Sequence, residues 1–228
     1  MFFETFSPPE IIHYDDGKRS LIMRRASAKD AQALVDALEL SLDALHSFMP
    51  WSHFPALNTV EAQTDRLRAL EEKWDKKEDF GFQLFLPRRD GSLSFVGCLG
   101  LHPRCLHNQG REIGYWVRTD VSGRGICTLA TQLMVLAGFQ LMKLKRIQIV
   151  CDENNMGSRR VIDKVGFHYE GLQRNMSYGE APEHIKKQGW IGSGNIRCYG
   201  LIPEDLASLG WVETISRSIR FEERLQTS

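Results

Sequence analysis

The sequence predicts an α+β fold in one domain, and three observations carry that prediction. Two helix-periodic stretches come first, over residues 28–49 and 60–77. Three apolar or alternating runs follow between residues 82 and 117, separated by hairpin-type turns. Beyond residue 117 strand and helix signals alternate.

Residues 1–19 read as a loosely structured arm, with Pro8-Pro9 and Asp15-Asp16-Gly17 as turn signals. Ser20–Arg25 is a short strand. In AKDAQALVDALELSLDALHSFM, Leu34, Leu38, Leu42 and Leu45 recur every three or four positions and define one apolar helical face. Ser27 caps this helix, with Asp30 at capping-box spacing, and Pro50 closes it. Thr59 caps the next helix, VEAQTDRLRALEEKWDKK, whose charges form a solvated face. Phe82–Pro87, Leu93–Leu101 and Glu112–Val117 are three antiparallel strands in a meander, turned at Arg89-Asp90-Gly91 and Asn108-Gln109-Gly110. A Gly-rich turn then enters a strongly apolar helix at about Gly125. Arg146–Cys151 is a buried strand, and Met156–Val165 is a helix stopped by Gly166. His168–Tyr178 and Asn195–Ile202 are two more strands, joined by EAPEHIKKQGWIGSG, which is too long for a tight hairpin. From about Pro203 the chain reads as a helical extension.

Composition narrows the function. At 228 residues the chain is long enough to bury a core without disulfides or metals, and no repeat or linker divides it. Lys+Arg and Asp+Glu are both 29, so the basic excess that nonspecific nucleic-acid binding needs is missing. No run of 18 apolar residues exists to span a membrane, and the N-terminus lacks the basic and apolar regions of a signal peptide. The five cysteines (98, 105, 127, 151 and 198) are odd in number and form no CxxC. The histidines form no HxxxH or HxH pair. These features predict a cytoplasmic protein with free thiols and no metal site.

The most informative stretch is GYWVRTDVSGRGICTL, residues 114–129. A strand ends at Val117, and a turn with two glycines leads into a helix. The first N–H groups of such a helix lack intrahelical partners, and with the helix dipole they attract an anion. Alone, the Gly-x-Gly reads first as an ordinary strand–helix turn with a glycine N-cap. No GK[ST] follows, and the third glycine of a dinucleotide fingerprint is missing. About thirty residues on, RIQIVC runs into Asn155-Met-Gly-Ser158, then a helix, then Val-Gly-Phe.

In order and spacing, this set resembles the GCN5-related N-acetyltransferase (GNAT) superfamily, and within it the RimJ/RimL-like ribosomal-protein branch. The matching segments are EIGYWV, SGRGICT, ENNMGS and VGFHYEG, with an early Met-Pro-Trp at residues 49–51. The similarity covers roughly residues 20–202. It implies the GNAT fold, in which a mixed, mostly antiparallel sheet is splayed at the cofactor site. It also implies acetyl-CoA as the donor substrate and attack of a neutral amine on its thioester. Three departures stand out. Asp120 occupies the first position of the cofactor turn, Cys127 replaces a common small residue, and an insertion surrounds Trp190.

The resemblance implies roles residue by residue. The strand end Trp116, Val117 and Arg118 would pair with pantetheine and donate to the thioester oxygen. The backbone of Ser122, Gly123, Arg124, Gly125, Ile126 and Cys127 would hold the pyrophosphate, with Arg118 or Arg124 adding charge. Asn155 would bond the pantetheine arm, and Ser158 would donate to the thiol sulfur. Glu112, opening the cofactor strand, would take the amine proton directly or through water. Glu170 matches a recurrent family position and competes for that role. Cys127 reads as a packed small residue rather than a nucleophile. His102, His107 and His168 lie near strand ends and read as surface or satisfied core histidines. Trp51, Phe54, Trp116 and Trp190 could wall an acceptor pocket, and the loop Glu183–Gly194 would border it. The acceptor implied is a protein N-terminal amine. A small amine, such as a polyamine, an aminoglycoside or a peptide-like antibiotic, and a catalytically silent CoA-binding protein stay open. So does a homodimer.

Overall fold

The computed structural model describes residues 6–104, 109–177 and 182–222. Nine strands form one sheet: β1 (Ile11–Asp15), β2 (Ser20–Arg25), β3 (Phe80–Pro87), β4 (Leu93–Pro103), β5 (Gly110–Val117), β6 (Arg146–Asp152), β7 (His168–Gln173), β8 (Ile196–Leu201) and β9 (Ile219–Glu222). Their order is β7-β8-β6-β5-β4-β3-β2-β1-β9. Every pairing is antiparallel except β5 with β6. The α+β expectation and the meander β3–β4–β5 are both met.

The one parallel pairing shapes the site. β5 and β6 are in register at only three positions, Gly110↔Arg146, Arg111↔Ile147 and Glu112↔Gln148. Beyond them the two strands part, which leaves the backbone of Gly114–Val117 unpaired on that side.

The helices are α1 (Ala31–Glu39), α2 (Leu42–His46), α3 (Val60–Asp75), α4 (Ile126–Leu136), α5 (Met156–Val165), α6 (Glu183–Lys187) and α7 (Val212–Ser216). A π-helical turn, Ala137–Leu141, prolongs α4. The larger core cluster packs α4, through Leu129, Leu133 and Met134, against Met23, Leu84, Leu99 and Ile113 of the sheet. A second cluster joins α1 and α3, through Leu34, Leu38 and Leu67, to Phe85 and Phe95. Thr59 caps α3 by accepting from Ala62 N–H at 3.2 Å, and α5 ends at Gly166 as expected.

Three expectations are corrected. The arm 1–19 is not loose throughout: β1 pairs with β2 and β9, and Ile12 and Tyr14 are fully buried. Its Ile-Ile-His-Tyr alternation is a half-buried strand pattern. The C-terminal stretch from Pro203 is not continuously helical. A short 3-10 turn (Pro203–Ser208) and α7 give way to β9, whose pairing with β1 overrides local helix preference. The helix after Ser27 breaks between α1 and α2. There the hydroxyl of buried Ser41 accepts from Thr119 N–H at 3.1 Å, tying this corner to the turn before α4. Ser27 does cap, but Asp30 binds Arg24 at 2.7 Å instead of completing a capping box. The turn residue Asn108, the end of the 168–178 strand at Tyr178, Cys105 and His107 lie outside the described residues.

Candidate active site

A cavity of about 1000 Å³ runs through the gap between β5 and β6. One half lies toward α4 and α5. The other lies toward α1, α3 and the segment around Trp51.

The first half holds most of the residues expected at a cofactor. Trp116, Val117, Ser122, Gly123, Gly125, Ile126, Cys127, Asn155 and Ser158 all line the cavity. Gly125 is the N-cap of α4 at φ +81°, a conformation that side chains with a Cβ resist. A Cβ there would meet nothing within 4 Å, so the space above the helix start is open. No side chain caps α4, and the N–H groups of its first turn have no intrahelical acceptors. Ser122 differs from the expectation, since its N–H already donates to Thr119 C=O at 3.1 Å.

The two arginines nominated for the phosphates are engaged elsewhere. Arg118 chelates Asp120 with bonds of 2.9 and 2.6 Å and also donates to Phe95 C=O. Arg124 donates to Asp120 C=O at 3.1 Å. The cations that line this half are instead Arg160 and Lys164, one turn apart on α5. Sequence reading missed them because basic residues on an exposed helix face carry no motif.

Asn155 and Ser158 are locked together. Asn155 Oδ1 caps α5 by accepting from Ser158 N–H at 2.9 Å. Ser158 Oγ lies 2.9 Å from Tyr115 Oη, which faces it from β5 across the gap. Burial pushes the Tyr115 phenol above its ordinary range, so it stays a neutral donor. Tyr115 was missed because one strand tyrosine is indistinguishable in sequence from core. Cys127 is a packed residue, its thiol pushed up to about 12 by burial.

Glu112 does not face the cavity. Its carboxylate accepts from Gln148 Nε2 at 2.7 Å and lies 3.4 Å from Arg104 Nε, at the point where β5 and β6 part. Glu170 is also removed from the gap. It forms a bidentate pair with Arg146 across Gly200. Both carboxylates are thus engaged by neighbouring side chains in this arrangement.

The second half is walled by Met49, Trp51, Trp116 and Trp190, while Phe54 is half exposed and outside it. The loop 183–194 contributes Trp190 to this wall. Ile185 and Trp190 are buried, the Trp190 ring meets His53 edge-on at 6.1 Å, and Gln188 Oε1 bonds His53 Nδ1 at 2.9 Å. Its floor is a row of glycines, Gly81, Gly100 and Gly114, standing opposite one another across β3, β4 and β5. His102 lies over Gly100 and beside Gly114, with Nδ1 bonded to Asp79 Oδ1 at 2.9 Å.

A sheet opened at one parallel pair, with a bare helix N-terminus beside the opening, forms a cleft with an anion-binding end. The sequence comparisons assign the family. Residues 20–168 match the family described as "Acetyltransferase (GNAT) domain". The chain therefore belongs to the GNAT family, and by family it is an acetyl-CoA-dependent N-acetyltransferase. Among its relatives is "Putative ribosomal N-acetyltransferase YdaF" of Bacillus subtilis (strain 168). That protein is 33% identical over 75% of this chain and 94% of its own length. "Probable N-acetyltransferase YjcK" of the same organism is 35% identical over 51% of this chain, and the match spans 63% of YjcK. Mycobacterium smegmatis RimJ, solved in complex with CoA-disulfide, shares the fold at a TM-score of 0.72. It is 20% identical, over 95% of this chain and 100% of RimJ. Among the described residues no helix is long and apolar enough to cross a membrane.

Proposed function

We propose that the chain acetylates the N-terminal α-amine of a protein in the cytoplasm, a ribosomal protein being the class that its relatives' names point to. The observation that carries this reading is the second half of the cavity. Its wall is apolar and aromatic, and its only lining carboxylate among the described residues is Asp152. Asp152 is engaged by Gly194 N–H at 3.0 Å and Asn154 N–H at 2.9 Å, and Ser193 Oγ also faces it. A pocket for a polyamine needs unengaged acidic groups, whereas a peptide's first residues need apolar contact.

In this reading the backbone of Gly123–Cys127 holds the pyrophosphate, with Arg160 and Lys164 adding charge. The unpaired edge Trp116–Val117 pairs with pantetheine, and the amide nitrogen of Asn155 donates to it. The Tyr115–Ser158 hydroxyl pair protonates the departing thiolate. Thiol release from acetyl-CoA, measured with Ser- and Ala-starting peptides beside polyamines and aminoglycosides, tests the proposal. Preferential turnover of the peptides supports it. Preference for a small amine, or no turnover with any acceptor, overturns it.

A further inference from the structure

We infer that His102, held by Asp79 and seated on the glycine floor, is the base that accepts the amine proton. The inference rests on the acetyl-transfer reading above and replaces Glu112 in the role that the sequence suggested.

The geometry is specific. His102 is the β4 residue paired with Glu112, two positions beyond Gly100. Its ring folds back over its own strand. A Cβ at position 100 would stand 2.3 Å from His102 Nε2, and one at position 114 would stand 3.5 Å from it. A side chain at position 100 would evict the imidazole, whereas one at 114 would only touch it, so Gly100 creates its seat. Gly114 is two residues past the last β5–β6 pair, on the strand edge beside the gap. Nε2 therefore sits over the floor where the two halves of the cavity meet.

The tautomer follows from the partner. Asp79 is a carboxylate and can only accept, so Nδ1–H donates to it and the Nε2 lone pair faces the cavity. Burial pulls the Asp79 carboxyl up, but the His102 hydrogen bond and charge, Lys73 and the Phe80 N–H outweigh it and hold the carboxyl below its ordinary value. Lys73 comes from α3, and Arg111 from β5 adds its charge to Asp79. Arg66 of α3 lines the same cavity. Glu112 and Arg104 lie beside His102 but face each other.

The step balances as follows. The acceptor ammonium gives one proton to His102 Nε2. The neutral nitrogen attacks the thioester carbonyl, the C–N bond forms and the C–S bond breaks. The second nitrogen proton is lost as the CoA thiolate is protonated, and His102 returns its proton to water. Asp79 is a positioning residue.

The test compares the wild type with His102→Gln, Asp79→Asn, Gly100→Ala and His168→Gln, using an acceptor peptide that the wild type acetylates. His102→Gln should lower kcat by about 10²–10⁴-fold and remove one ionisation from the acidic limb of the kcat/KM profile. Its affinity for CoA by calorimetry should stay unchanged. Asp79→Asn should move that limb while sparing CoA affinity, which a purely structural role would not do. Gly100→Ala should reproduce His102→Gln if it binds CoA as the wild type does. His168→Gln, on a different strand beside Asp205, should leave the profile intact. An unchanged acidic limb in a CoA-binding His102→Gln overturns the inference while leaving acetyl transfer standing. A wild type that acetylates no peptide overturns the underlying reading instead.

Discussion

Gln148 Nε2 donates to Glu112 Oε2 over 2.7 Å at the last position where β5 and β6 pair. This bond clasps the fork of the sheet. One position further, neither strand finds its partner, and the cavity begins.

The clasp predicts a stability phenotype for Glu112. Glu112→Ala leaves Gln148 and Arg104 without their acceptor, a loss of about 1–3 kcal/mol for a hydrogen bond to a charged group. For a chain of this size that lowers Tm by roughly 2–4 °C per kcal/mol. Glu112→Gln keeps an acceptor oxygen, so Tm should fall less and the pH–rate profile should keep its shape. Thermal melts and a profile of the Gln variant check both points. A flattened acidic limb would restore Glu112 as the base.

Gly125→Val should abolish CoA binding by calorimetry. Gly125 is at φ +81°, where a Cβ costs about 1–2 kcal/mol, and its α-hydrogens face open space above the helix start. Gly125→Ala should show mostly the backbone cost in Tm, whereas the branched Val should also block a phosphate's close approach. Equal CoA affinity in the wild type and a folded Val variant would remove this turn from the cofactor site.

Much of the fold was legible because its signals are local. Ser20–Arg25 and Met156–Val165 appear with the expected bounds, and the turn before α4 is read from Gly123 and Gly125. The terminal strands were not legible, because β1 and β9 stabilise each other over some two hundred residues. The site divides in the same way. Asn155 and Ser158 share one helix start, so one linear motif contains both and the family resemblance reaches them. His102 acquires its meaning from Asp79 on a different segment and from Gly114 on a third, so no linear motif contains it.

Ser158→Ala and Tyr115→Phe should act as one unit. Their hydroxyls lie 2.9 Å apart across the gap, so either substitution interrupts the same donor pair. Each should reduce kcat by about 10²-fold or more with little change in the KM for acetyl-CoA. The double variant should be only slightly worse than either single one. Multiplicative losses in steady-state kinetics would mean that the two hydroxyls serve separate steps.

The Asp79–His102 pair also predicts a pH signature in stability. The Asp79 carboxyl lies lower in the folded chain than its ordinary value. Its contribution is therefore present above the unfolded value of about 3.9 and fades as pH falls through the lower folded value. The part of the stability gap between the wild type and Asp79→Asn that the Asp79 carboxylate carries should shrink below about pH 4 in denaturant melts. A gap that widens on acidification would contradict the assigned direction.

The acceptor wall can be tested without touching the chemistry. Trp190 is 7% exposed and meets His53 edge-on, and Ile191 N–H donates to Ser47 C=O at 3.2 Å. Through these contacts the loop 183–194 leans on the segment that carries Met49 and Trp51. It is fixed from below by Asp152, which accepts from Gly194 N–H at 3.0 Å. Trp190→Ala removes a buried aromatic, typically worth about 3–5 kcal/mol in a well-packed core. In this small satellite cluster the loss should fall mainly on loop docking rather than on global Tm. The KM for an acceptor peptide should therefore rise about tenfold, while the KM for acetyl-CoA stays within twofold, because the cofactor half is built from α4, α5 and β5. A rise confined to acetyl-CoA would place this loop over the cofactor and move the acceptor elsewhere.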